Sequence, residues 1–124
     1  MKVKNIKITI KDRRQVLHEF AEALSKARKG GSIEKRDELS FNSLETLRSI
    51  LTGKRIELLK IIKQKKPGSL YELAHFAQRD LKSVNTDIKV LSSLGLVSLE
   101  EIHDARKKMK PLVEFDMLNV EIEI

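Results

Sequence analysis

The sequence predicts an α+β fold in which a core of three helices is followed by a β-hairpin, with a strand–helix extension before it and a strand after it. Three observations carry this. Apolar residues recur every three or four positions from Thr52 to Leu94, interrupted at Lys65-Lys66-Pro67-Gly68 and at Arg79-Asp80. Apolar and polar residues alternate at both ends, with Ile6, Ile8 and Ile10 near the start and Val120, Ile122 and Ile124 at the end. Leu96, Val97 and Leu99 are separated from Leu112, Val113 and Phe115 by a basic stretch, which suits the two strands of a hairpin.

Taken in order, Ile6, Ile8 and Ile10 form a half-buried strand. Asp12, with Gln15 three residues later, opens a helix whose stripe is Val16, Leu17, Phe20, Ala21 and Leu24, and Gly30-Gly31 ends it. Leu39 and Phe41 fit a short strand. Asn42 and Glu45 read as a capping box for a helix that turns Leu44, Leu47, Ile50 and Leu51 inward. Thr52 caps the next helix, which buries Ile56, Leu59 and Ile62. Pro67-Gly68 stops it and reverses the chain.

The stretch Ser69–Gly95 reads as two helices joined by a tight turn. Ser69 and Glu72 form a capping box, and Leu70, Leu73, Ala74 and Ala77 make the first stripe. Asp80 caps the second helix, whose Leu81, Val84, Ile88, Leu91 and Leu94 face a core, and Gly95 stops it. Its other face carries Lys82, Ser83, Asn85, Thr86 and Lys89, short polar and basic groups able to donate to base edges and phosphates. A helix-turn-helix needs those groups where its second helix enters the major groove. A helical hairpin with an ordinary solvated face is the plainer reading of the same pattern. Between the hairpin strands, Glu100–Lys110 carries Arg106, Lys107, Lys108 and Lys110 in the position of a DNA-contacting wing. That stretch holds no Gly or Asn-Gly turn, so it fits either a long wing loop or a helical turn.

Charge placement favours nucleic acid. The 124 residues carry a net charge of +7, and 35% are charged. Residues 52–110 hold 13 Lys/Arg against 7 Asp/Glu, whereas 111–124 hold four acids and no base. The surplus therefore covers the two-helix stretch and the hairpin. The absence of cysteine excludes disulfides and thiolate metal sites. No apolar run approaches the ~20 residues of a membrane span, and the charged start lacks the apolar block of a signal peptide, so a cytoplasmic protein is expected. His18, His75 and His103 show no metal-ligand spacing, and adjacent acids such as Glu100-Glu101 would point to opposite faces of a strand. Neither a nucleophile elbow nor a phosphate-binding loop is present, so no enzyme, cofactor or metal is expected.

Thr52–Leu99 resembles the winged helix-turn-helix transcriptional regulators of the MarR/ArsR-like group, through TGKRIELL, SLYELA, LKSVNTDIKVL and LGLV. The wider layout is similar to prokaryotic antitoxin-type winged-helix regulators. The resemblance implies a three-helix core plus a β-hairpin wing, and a sequence-specific repressor, in its narrower form an autoregulating antitoxin with a cognate toxin. Residues 1–41 would then be a strand–helix extension for dimer or partner contact, and 42–124 the DNA-binding domain with its C-terminal strand. Lys82, Ser83, Asn85, Thr86 and Lys89 are the expected base-contacting set, and Arg79, Arg106, Lys107, Lys108 and Lys110 the phosphate-contacting set. A homodimer on double-stranded DNA is expected, its recognition helices about one turn apart. The alternative is a winged-helix interaction module that binds a partner protein through its terminal strands.

Overall fold

The computed structural model of the chain describes residues 4–11, 38–103 and 105–124. The elements are β1 (Asn5–Ile10), β2 (Glu38–Phe41), α1 (Leu44–Ile50), α2 (Gly53–Lys65), α3 (Leu70–Ala77), α4 (Leu81–Ser93), β3 (Ser98–His103), β4 (Lys107–Leu112) and β5 (Met117–Ile122). The α+β class is as expected. The helix expected from Asp12 and the Gly30-Gly31 turn lie outside the described residues. No described helix is long and apolar enough to cross a membrane. The described residues of Met1–Ser49, with Phe115–Ile124, make one compact unit, and Ile50–Glu114 make a second.

The first unit is built on a parallel three-stranded sheet in the order β2-β1-β5. Ile8 opposes Leu39 on one side and Val120 on the other, and Ile10 likewise opposes Phe41 and Ile122. Because side chains alternate along a strand, this register gathers Ile6, Ile8, Ile10, Leu39, Phe41, Leu118, Val120 and Ile122 on one face. The opposite face is polar: the Thr9 hydroxyl lies 3.0 Å from the Ser40 hydroxyl, and Lys7 pairs with Glu121 at 3.1 Å. The C-terminal strand, grouped from sequence with the 42–124 domain, is hydrogen bonded instead to β1. Sequence patterning shows that β5 is a strand but not which strand it joins.

Helix α1 starts one residue later than Asn42 capping would give. Its cap is Ser43, whose hydroxyl accepts from the Thr46 N–H at 3.1 Å. The later start turns Leu47 into the core and leaves Leu44 exposed.

The second unit follows the predicted helices closely because its boundaries are set by local chemistry. Thr52 accepts from the Arg55 N–H at 3.3 Å, Ser69 from Glu72 at 3.1 Å and Asp80 from Ser83 at 2.8 Å. Each helix stops on a left-handed residue: Lys66 (φ 49°), Gln78 (φ 55°) and Gly95 (φ 77°). At the end of α4 the Gly95 N–H donates to the Ser92 carbonyl and the Leu96 N–H to that of Leu91, both at 3.0 Å. That pair of bonds is a Schellman stop, and it drives Leu96 back into the core. The core consists of Leu58, Leu59 and Ile62 from α2, Leu73 and Ala74 from α3, and Val84, Ile88 and Leu91 from α4, joined by Leu96, Val97 and Pro111. Each large side chain buried this way contributes roughly 1.5–3 kcal/mol. Ser69→Ala is expected to destabilise this unit by ~1 kcal/mol in urea unfolding, since it orphans the Glu72 N–H.

The hairpin departs from the sequence reading. Its strands are β3 and β4, antiparallel and paired from Ser98↔Leu112 to His103↔Lys107, with residues 104–106 between them. Leu96 and Val97 precede the strand and Phe115 follows it, so the paired region lies nearer the basic stretch than expected. The pairing of His103 with Lys107 leaves no room for a long loop. Pro111 and Met109 anchor one face of β4 toward the helices, which fixes the register without a glycine turn.

Candidate nucleic-acid interface

The orientation of α4 is set by a charge inside the core. Asp87 falls between Val84, Ile88 and Leu91 at helical spacing, so it occupies a slot otherwise filled by apolar residues. It is buried, and two guanidinium groups meet it. Arg79 Nη2 donates to Oδ2 at 2.7 Å, and Arg55 Nε donates to Oδ1 at 3.0 Å. Arg55 also donates to the Ile50 carbonyl at 2.8 Å. Burial pushes the Asp87 carboxyl up, but the hydrogen bonds from Arg79 and Arg55, with their charges, outweigh it and hold the carboxyl below the ordinary range. This bridge ties α2 and the α3–α4 turn to α4, through an acid that helical patterning alone does not single out. Its signal was there: an acid in an apolar slot demands a counter-charge.

Beyond the bridge, an open groove of about 690 Å³ runs between the start of α3, the outer face of α4 and the tip of the hairpin. Ser69, Tyr71, Glu72 and His75 line one wall, Leu81 and Asn85 the floor, and Arg106, Lys107, Lys108 and Met109 the other wall. Tyr71 is 75% exposed here, an aromatic face open to solvent that sequence patterning did not single out.

Of the expected base-contacting residues, Lys82, Thr86 and Lys89 are exposed on α4, with the Thr86 hydroxyl bonded back to the Lys82 carbonyl at 3.1 Å. Ser83 serves a different purpose. Its N–H and its hydroxyl both donate to Asp80, each at 2.8 Å, and they hold that carboxyl below its ordinary range. Asn85 is half-buried, and its Oδ1 is buried with no hydrogen-bond partner. Bidentate pairing with adenine uses both amide atoms, so Asn85 must turn outward to read a base. Turning out also relieves a carbonyl whose unmet burial costs roughly 1–3 kcal/mol.

Of the expected phosphate-contacting residues, Arg79 is corrected: it is drawn inward to Asp87 and its side chain is only 20% exposed. Arg106, Lys107 and Lys108 come together on the groove wall, all exposed. Lys107 shares the Glu101 carboxylate (3.1 Å) with His103 (3.3 Å). Lys110 opposes Glu100 on the other face of the hairpin from Met109 and does not line the groove.

A protein-family model described as HVO_A0114 matches residues 50–120, more than half of the chain. The chain belongs to the HVO_A0114 family. In this member the matched stretch contains the whole three-helix unit, the hairpin and the first residues of β5. No curated protein matches the chain.

Proposed function

We propose that this HVO_A0114-family protein is a sequence-specific, double-stranded-DNA-binding transcriptional repressor with a winged helix-turn-helix architecture. In this reading α4 enters the major groove with Lys82, Asn85, Thr86 and Lys89, and the β3–β4 hairpin is the wing that holds phosphates with Arg106, Lys107 and Lys108. The observation that carries it is the groove in which Asn85 of α4 meets the three cations of the hairpin. Polar reading groups and phosphate-binding groups then act on one duplex, and the surplus positive charge lies where that duplex would run.

The test is an electrophoretic shift with the protein's own upstream DNA against random DNA, at two salt concentrations. Preference for its own promoter in excess competitor is expected, and equal, salt-sensitive binding to both DNAs would overturn the reading. Asn85→Ala sharpens it: discrimination at one base position is expected to fall by roughly 1–3 kcal/mol. Folding stability should hold or rise, since the variant removes an unsatisfied buried oxygen.

A further inference from the structure

Among the described residues, the first unit's sheet ends on β5. Among the described residues β5 pairs only with β1, so its other side presents free backbone donors and acceptors. Edge strands are normally guarded by proline, lysine or a bulge. β5 reads Met-Leu-Asn-Val-Glu-Ile and has none of these. Its apolar side chains do not end in the core either. Val120 is 48% exposed and Ile122 51%, although Ile8, Ile10 and Phe41 on the same face are buried. The opposite edge, β2, has only four residues and buries Phe41, so among the described residues β5 is the apolar edge left open.

We infer that β5 is a homodimer interface, pairing antiparallel with β5 of a second copy to give a continuous six-stranded sheet. A two-fold axis relates edge strands antiparallel, so a second copy is the occupant whose geometry this edge fits by symmetry. The pattern also selects the register. Residues directly opposite in an antiparallel pair share a face, so only registers that keep parity extend the apolar stripe across the join. Centring the axis on Glu121 would set it against Glu121 of the partner subunit, a like-charge contact. Centring on Val120 sets Leu118 against Ile122 of the partner subunit and Glu121 against Asn119 of the partner subunit. Leu118, Val120 and Ile122 then each meet an apolar residue, and no two acids oppose each other. The interface lies in the unit that does not carry the groove, so it stands on evidence separate from the DNA-binding reading.

The chain has no cysteine, which makes the register directly measurable. Residues on the axis have Cα atoms about 4.5–5.5 Å apart, within disulfide range. In the full-length protein without DNA, Val120→Cys is expected to form a covalent dimer under mild oxidation at least tenfold faster than Ile122→Cys alone. A mixture of Leu118→Cys and Ile122→Cys chains should cross-link as readily as Val120→Cys. Sedimentation equilibrium from 1 to 100 µM, with circular dichroism to verify folding, should show dimers for the native protein. Val120→Lys should raise its half-dimer concentration at least tenfold. A monomer at every concentration, or a dimer in which Val120→Cys cross-links no faster than Ile122→Cys, overturns the assignment. Neither result touches promoter binding, and a β5 dimer without DNA preference would overturn only the other proposal.

Discussion

Replacing Asp87 by alanine is expected to lower the unfolding free energy by roughly 3 kcal/mol, because removing one partner of a buried ion pair leaves the other uncompensated. Two guanidinium groups would be stranded, those of Arg55 and Arg79, with side chains 18% and 20% exposed. Urea unfolding at pH 7 measures the loss directly. The triple replacement Arg55→Met, Arg79→Leu and Asp87→Leu should recover most of it, since apolar side chains of similar volume commonly replace such a bridge at little cost. A fall of under 1 kcal/mol for Asp87→Ala would mean that water already screens the bridge.

The same bridge sets an acid dependence. The Asp87 carboxyl is held below its ordinary value in the folded chain, so its contribution to stability is complete above the unfolded value of about 3.9. It is lost as pH falls through the lower folded value. Asp87→Asn removes this titration, so native and variant stabilities should converge as pH drops from about 4. Asp80 is also held down, but by Ser83, and it titrates identically in both proteins. The difference between the two curves therefore isolates Asp87.

What could be read from the sequence follows the range of the interactions involved. Thr52, Ser69 and Asp80 are identifiable as caps because a cap and the N–H that donates to it lie three residues apart. Most of the core faces of α3 and α4 are legible from helical periodicity, but Leu81, expected inward, is 41% exposed and lines the groove instead. Arg55 and Asp87 lie 32 residues apart, and nothing in the local pattern names the partner. Arg79 reads from sequence as an exposed cation beside a turn, and its inward bond to Asp87 is hidden for the same reason. Ser83 sits on the outer face as expected, but its hydroxyl donates to the Asp80 cap, a bond that the face pattern does not reveal. The hairpin was shifted because Lys107, Lys108 and Lys110 disguise a strand whose buried face is only Met109 and Pro111. The pairing of β5 with β1 joins residues more than a hundred positions apart, as in the Lys4 N–H that donates to Asp116 at 2.8 Å. Alternation marks both segments as strands without linking them.

Removing Arg106, Lys107 and Lys108 together, each to alanine, is expected to weaken binding to every DNA sequence by about the same factor. The salt slope should become shallower by about 2.7 units if each cation neutralises one phosphate. Such a change makes the native-to-variant affinity ratio fall about 40-fold between 50 and 200 mM salt. The ratio of promoter to random affinity should stay fixed, the opposite of the Asn85→Ala result, because phosphates carry no base identity. The three residues are not equivalent. Lys107 must leave Glu101, 3.1 Å away, to reach a phosphate, so Glu101→Gln is expected to tighten binding and steepen the slope. Arg106 and Lys108 are both exposed on the groove wall and should each account for about one unit alone. A slope left unchanged by the triple replacement would take the hairpin off the duplex. The affinity would then have to come from Lys82 and Lys89 of α4, and the groove would be a site for something other than DNA.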